Sequence, residues 1–176
     1  MKSLKELYRI GIGPSSSHTI GPRTAAETYL RKHPDAQGFR VTLYGSLAAT
    51  GRGHLTDFAI LQVLGENRTE LIWCPEIVLP FHPNGMKFEV RKNNGDFQDA
   101  WTVYSVGGGA LVEEGQVQTD TPDVYDLDHL SDIQKWCEER GVPYWEYVQH
   151  CEGTEIWDYL EKVWHTMCEA VERGIE

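Results

Sequence analysis

The spacing of hydrophobic residues along this chain changes period several times, and each change marks an element. Ala25, Ala26, Tyr29 and Leu30 form the apolar stripe of a helix, with Pro22 at a first helical position and His33-Pro34 as the stop. A run of serines directly ahead of it therefore sits at a helix N-terminus. Phe39, Val41 and Leu43 then alternate with Arg40, Thr42 and Tyr44, the period-2 pattern of a strand that Gly45 ends. The glycines of TGRGHLTD, Thr50 to Asp57, predict a flexible turn. Thr56 or Asp57 would cap a helix carrying Ala59, Ile60, Val63 and Leu64 and closed by Gly65. Alternation returns from Lys87 to Arg91, Asn94-Gly95 signals a hairpin, and a strand runs from about Trp101 to Ser105. Gly107, Gly108 and Gly109 open one more strand, ALVEE, so the middle of the chain reads as antiparallel.

From Leu130 the period is helical again. Ser131 with Gln134 forms a capping box, Ile133, Trp136 and Cys137 face inward, and Gly141 terminates the helix. Pro143 starts a short helix, and a longer one follows Thr154 with Trp157, Leu160, Trp164, Met167 and Val171 on one stripe until Gly174. That aromatic stripe is either core or a docking face. The predicted fold class is α+β: helices on one face of a small antiparallel sheet, followed by C-terminal helices. Residues 1–176 form one domain on this reading, with the sandwich over about 1–125 and a helical extension over about 126–176. The end just past Gly174 fits either a natural terminus or a cut before a linker.

With 40% hydrophobic residues among 176, the chain can bury a core. A net charge of -11 argues against nucleic acid, whose binders need a basic face to release counterions. No apolar run approaches the roughly 18 residues of a membrane span, and MKSLKELYRIG lacks a signal peptide's apolar segment, so no membrane role and a cytoplasmic location are expected. The four cysteines, Cys74, Cys137, Cys151 and Cys168, form no Cys-x-x-Cys pair and read as reduced, buried thiols. Any iron-sulfur cluster would take its ligands from another polypeptide.

Candidate chemistry concentrates in two loops. Unpaired N–H groups and a partial positive charge at a helix start, beside Ser15, Ser16, Ser17 and Thr19, suit a carboxylate or phosphate. His18 adds a group that titrates near neutral pH. The plainer alternative is that these hydroxyls only cap the helix. His54, Thr56 and Asp57 repeat the constellation at the second helix start, and placement of both loops on one edge would let them face one ligand. His82 and Asn84 lie in FHPNGM, a turn by composition, while Gly107 to Gly109 make either a bulge or a close-approach backbone. GIGPSSSHT is neither a P-loop nor a GxGxxG, and no GxSxG elbow is present, which argues against nucleotide binding and a serine hydrolase.

Together, GIGPSSSHTIGPR (Gly11 to Arg23), GSLAATGRGHLTDFAILQVLG (Gly45 to Gly65), FHPNGMKFEV (Phe81 to Val90) and YSVGGGALVEEG (Tyr104 to Gly115) resemble the beta domain of bacterial iron-sulfur-dependent L-serine dehydratases. The resemblance covers most of the chain. It implies deamination of L-serine to pyruvate and ammonia with a 4Fe-4S cluster ligated by an alpha domain or subunit, not by this chain. It implies an allosteric-substrate-binding-domain-like sandwich, the alpha domain as partner, and a homodimer or heteromer. His18 would be catalytic. Ser15, Ser16, Ser17, Thr19, His54, Thr56, Asp57, His82, Asn84, Gly107 and Gly108 would bind substrate or line the domain interface. The family pattern more often carries glycine where Leu55 stands. The other reading open at this point is a non-catalytic regulatory module that binds a small carboxylate or phosphate.

Overall fold

The computed structural model describes residues 1–92, 95–114 and 122–176. Asn94 of the expected hairpin and Gly115 of the last motif lie outside these. The chain divides into two compact units, Gly11–Gln118 and Met1–Ile10 together with Thr119–Glu176.

In the first unit a π-helical turn, Ser16–Ile20, runs directly into α2 (Gly21–Lys32); α1 (Leu4–Leu7) belongs to the other unit. There follow β1 (Gly38–Tyr44), α3 (Gly45–Thr50), α4 (Thr56–Leu64), β2 (Thr69–Cys74), β3 (Gly85–Arg91), β4 (Phe97–Gly107) and β5 (Ala110–Glu113). Among the described residues the sheet has five strands in the order β2-β1-β3-β4-β5. The α+β class holds, with one correction: β1 and β2 run parallel, so the sheet is mixed. The contiguous apolar run Leu71, Ile72, Trp73 in β2 carries no period-2 signal, which is why alternation alone did not reveal it.

Pleating sends Phe39, Val41, Leu43, Met86, Phe88, Val90 and Val103 to one face, where they meet Ala25, Ala26 and Tyr29 of α2, Leu47 and Ala48 of α3, and Ile60 and Leu64 of α4. Each fully buried large side chain there contributes roughly 1.5–3 kcal/mol. The opposite face is polar: Arg40 pairs with Glu70 at 3.0 Å and lies 3.6 Å from the centre of the Phe97 ring, and Lys87 pairs with Glu89 at 3.0 Å. Tyr29 is surrounded by the rings of His33, Phe39, Phe88 and Trp101 and donates to the Asp99 carbonyl at 2.6 Å. Burial, reinforced by the charges of Asp99 and Glu89, holds its hydroxyl well above the usual tyrosine range.

The second unit contains α1 (Leu4–Leu7), α5 (Leu130–Arg140), α6 (Tyr144–Glu152) and α7 (Ile156–Ile175). Its N-terminal strand of chain is tied in by Val124 N–H and Tyr125 N–H donating to the Met1 carbonyl, and by the Glu152 carboxylate accepting from Ser3 Oγ at 2.7 Å and Leu4 N–H at 2.6 Å. Those donors outweigh the burial of Glu152 and lower its pKa. Tyr125, Cys137 and Tyr147 form the core of this unit, with Ile133 and Trp136 against it. The expected capping box is absent from α5. Asp132 N–H and Ile133 N–H both donate to the His129 carbonyl, so the helix starts before Ser131, and Gln134 Nε2 donates instead to Glu138 Oε1 at 2.8 Å. Gly141 ends α5 in the left-handed region, φ 65°. On α7 Ile156 and Val163 are buried, whereas Trp164, Met167, Val171 and Ile175 are 64%, 53%, 61% and 81% exposed. Among the described residues no helix is long and apolar enough to cross a membrane.

Candidate functional site

The serine-rich loop is not a simple cap ahead of α2, because its residues already coil. Gly21 N–H donates to the Ser16 carbonyl five residues back, which defines the π turn, a form concentrated at functional sites. Ser15 caps it, its Oγ accepting from His18 N–H at 3.4 Å. Ser16 is exposed, Ser17 is half-buried, and His18 and Thr19 are buried. Three close approaches hold the turn. A Cβ on Gly21 would fall 2.2 Å from Ser105 Oγ, and Cβ atoms on Gly11 and Gly109 would fall 2.5 Å and 2.7 Å from carbons of Ile20. Gly109, at φ +79°, is thus the close-approach glycine of the β4-β5 turn, which also carries a register shift between Ser105 and Gly107.

The second loop meets this turn through two reciprocal bonds. Thr19 Oγ1 donates to the His54 carbonyl at 2.9 Å, and Thr56 Oγ1 donates to the His18 carbonyl at 2.6 Å. Each loop therefore holds the backbone of the other's histidine, and both threonines are fully buried. The rings lie 4.9 Å apart between centroids at 43°. Thr56 is thus engaged across the site and does not cap α4. Leu55 occupies the capping position in the left-handed region, at φ 57° and ψ 32°, and Asp57 turns to its own helix start, its Oδ1 accepting from Phe58 N–H at 2.9 Å.

The two imidazoles differ in what surrounds them. His18 Nδ1 lies 2.9 Å from Ser17 Oγ and Nε2 lies 3.1 Å from Ser46 Oγ, so both nitrogens have hydroxyl partners. Desolvation and the neighbouring His54 lower its pKa, against a smaller opposing hydrogen bond to Ser46, and the ring is neutral at pH 7. His54 Nδ1 lies 3.0 Å from the Thr50 carbonyl. A carbonyl oxygen only accepts, so Nδ1 carries a proton, and in the neutral ring Nε2 holds the lone pair. His54 is half-buried, and among the described residues no partner meets that nitrogen.

The structure thus gathers Ser15, Ser17, His18, Thr19, His54 and Thr56. His82 and Asn84 stand one step away. His82 Nδ1 accepts from Asn84 N–H at 3.1 Å, Asn84 Nδ2 donates to the Ser105 carbonyl at 3.2 Å, and the Pro83 carbonyl accepts from Ser46 N–H at 3.1 Å. Gly107 and Gly108 shape the β4-β5 turn. The pattern reading passed over Ser46 and Thr50, which lie on α3; their spacing of four, with Leu47 and Ala48 between them, is the signal that was available.

This is an α+β unit with a paired-histidine, hydroxyl-rich site at the junction of two helix-entry loops. The chain belongs to the serine dehydratase beta chain family, whose model matches residues 3–72 and 63–116. It is 30% identical to the L-serine dehydratase TdcG of Escherichia coli (strain K12) over 228 aligned positions, covering 99% of this chain and 49% of that protein. It is 38% identical to an L-serine dehydratase of Mycobacterium tuberculosis over 152 positions (64% of this chain, 33% of that one), and 29% identical to an L-serine dehydratase of Haemophilus influenzae over 225 positions (99% and 50%). The chain spans about half the length of the curated relatives it matches end to end. An alignment of 228 positions on 176 residues means that the Escherichia coli protein carries further segments inside the matched region.

Proposed function

We propose that this chain is the beta half of an iron-sulfur L-serine dehydratase, which converts L-serine to pyruvate and ammonia together with an alpha domain or subunit. Family membership and the names of the relatives support the reaction class. The observation that carries the role of this chain is the fixed tautomer of His54, which leaves one lone pair available beside a His18 ring whose two nitrogens both have hydroxyl partners.

The alpha portion would ligate the 4Fe-4S cluster. The donors gathered around His18 and His54 are imidazoles and hydroxyls, while Cys74 lies on β2 and Cys137, Cys151 and Cys168 lie in the other unit. When bound, such a cluster supplies a Lewis acid for the substrate hydroxyl. On this side, His54 Nε2 accepts the α-proton of serine while its Nδ1–H remains on the Thr50 carbonyl, which stabilises the imidazolium that forms. The β-hydroxyl leaves as water by taking up one proton, which balances the one taken by His54 and returns that ring to its neutral form; the enamine left behind tautomerises and hydrolyses to pyruvate and ammonia. His18, kept neutral by burial, spares His54 a second positive ring 4.9 Å away. The exposed Ser16 hydroxyl at the head of the π turn would bind the substrate carboxylate.

Mixing this chain with a separately produced alpha polypeptide under anaerobic conditions is expected to yield pyruvate from L-serine. His54→Ala should lower kcat by about 10²- to 10⁴-fold, and His18→Ala should also lower it while the fold and pairing survive. No pyruvate from the wild-type pair would reject the dehydratase reading; an unimpaired His54→Ala would reject the assignment of the proton acceptor.

A further inference from the structure

We infer that α3 is the orienting element of the site and that Ser46 is a positioning residue: one short helix holds both histidines, through Ser46 Oγ on His18 Nε2 and the Thr50 carbonyl on His54 Nδ1. The kinetic part of this inference rests on the assignment of His54 as proton acceptor; the structural part does not.

Residues 46 and 50 lie one turn apart, and Thr50 Oγ1 donates to the Ser46 carbonyl at 3.0 Å, so the two contacts belong to one rigid segment. That segment is anchored on three sides. At its start, Gly45 N–H donates to the Ile77 carbonyl at 2.8 Å and Ser46 N–H donates to the Pro83 carbonyl at 3.1 Å. Gly45 takes φ +49°, and a Cβ there would fall 2.6 Å from the Pro83 oxygen. In its middle, Leu47 and Ala48 are buried in the core. At its end, a Cβ on Gly51 would fall 2.1 Å from the Leu47 carbonyl oxygen and 2.8 Å from the Trp73 ring. An element this constrained can set ring positions to within the few tenths of an ångström that proton transfer requires.

Ser46 also completes the chain Ser17–His18–Ser46. Both hydroxyls donate or accept with equal ease, so they hold the imidazole plane without dictating which nitrogen carries the proton. When His54 gains a proton, the donor sense of that chain can reverse with no heavy atom moving, which presents the neighbouring charge with a responsive dipole. Ser17 sits beside His18 on the same turn, whereas Ser46 reaches it from a different element. Removing Ser46 therefore frees the ring in a way that removing Ser17 does not.

The test is imidazole ¹⁵N and ¹H NMR on the 176-residue chain with Ser46→Ala, Ser46→Thr and Gly45→Ala. In Ser46→Ala the His18 resonances and titration should shift while His54 keeps a protonated Nδ1, and Ser46→Thr should restore His18. Gly45→Ala should perturb both rings; if that variant does not fold, the comparison of alanine with threonine at 46 still decides. His18 signals unchanged in Ser46→Ala, or displaced equally by alanine and threonine, would overturn the inference. With the alpha polypeptide added, Ser46→Ala should lower kcat about tenfold with KM within twofold, and threonine should recover it; an unchanged kcat would overturn the positioning role. A wild-type pair without activity would remove the dehydratase reading alone, and the NMR comparison would still decide Ser46.

Discussion

At the scale of single residues, burial and hydrogen bonding act on the histidines in ways that pH reveals. His18 has a folded-state pKa below its ordinary 6.5 because desolvation and His54 oppose its charge. The sign follows from proton binding: between the two values the unfolded chain holds more protons, so stability rises with pH there. The contribution of the neutral ring is fully present above about pH 6.5 and is lost as pH falls through the lower folded-state value. Urea melts of the chain between pH 5 and 8 should show that loss, and His18→Gln should flatten it. Leu55 is a second local test. It is 44% exposed and takes φ 57°, a region that costs a branched-chain L-residue roughly 1 kcal/mol. Leu55→Gly should therefore raise stability by up to about 1 kcal/mol, and Leu55→Ile should lower it, as read by thermal melts.

At the scale of elements, the site is held by backbone closeness more than by side-chain bulk. Gly21 is the pivot between the π turn and α2. Gly21→Ala should cost about 2 kcal/mol, because Ser105 Oγ and Cβ would lie 2.2 Å and 2.9 Å from the added carbon and Ser105 is fully buried. Ser105 Oγ itself has no hydrogen-bond partner among the described residues, so Ser105→Ala should be neutral or stabilising and should recover part of the loss when combined with Gly21→Ala. Denaturant midpoints of the two single variants and the double variant measure the coupling. Elements with a clear period were legible without coordinates: α2, β1, β3, β4, α5 and α7 follow Tyr29, Val41, Phe88, Trp101, Trp136 and Trp157 as expected, and α6 follows Pro143. Those that were not legible had a physical reason. The six residues of α3, Gly45–Thr50, are too few to show a helical period, β2 is half-buried along its length without alternation, and the π turn takes its form from the tertiary contacts of Gly21 and Ile20.

At the scale of the molecule, each unit has its own core, and the α7 stripe divides: Trp157 and Leu160 are half-buried, while its later residues are exposed. Trp164, Met167 and Val171 are not core residues of this chain. Replacing all three with glutamine should shift stability by less than about 1 kcal/mol, as measured by thermal melting. A larger loss would mean that the stripe packs within the chain. Family membership with about half the length of the relatives matched end to end places this chain in a two-part enzyme only by proposal, and reconstitution with the alpha polypeptide is the experiment that decides it.

The order of residues alone determined the class of fold, the helix periods, the acidic surface and the two loops that carry hydroxyls and histidines, because these depend on spacing and composition within a few residues. Only the folded chain decided that Ser46 meets the His18 ring and that Thr19 and Thr56 cross between loops. Those relations join residues 28 to 38 positions apart, and they exist only after the core has brought α3 and α4 against the π turn.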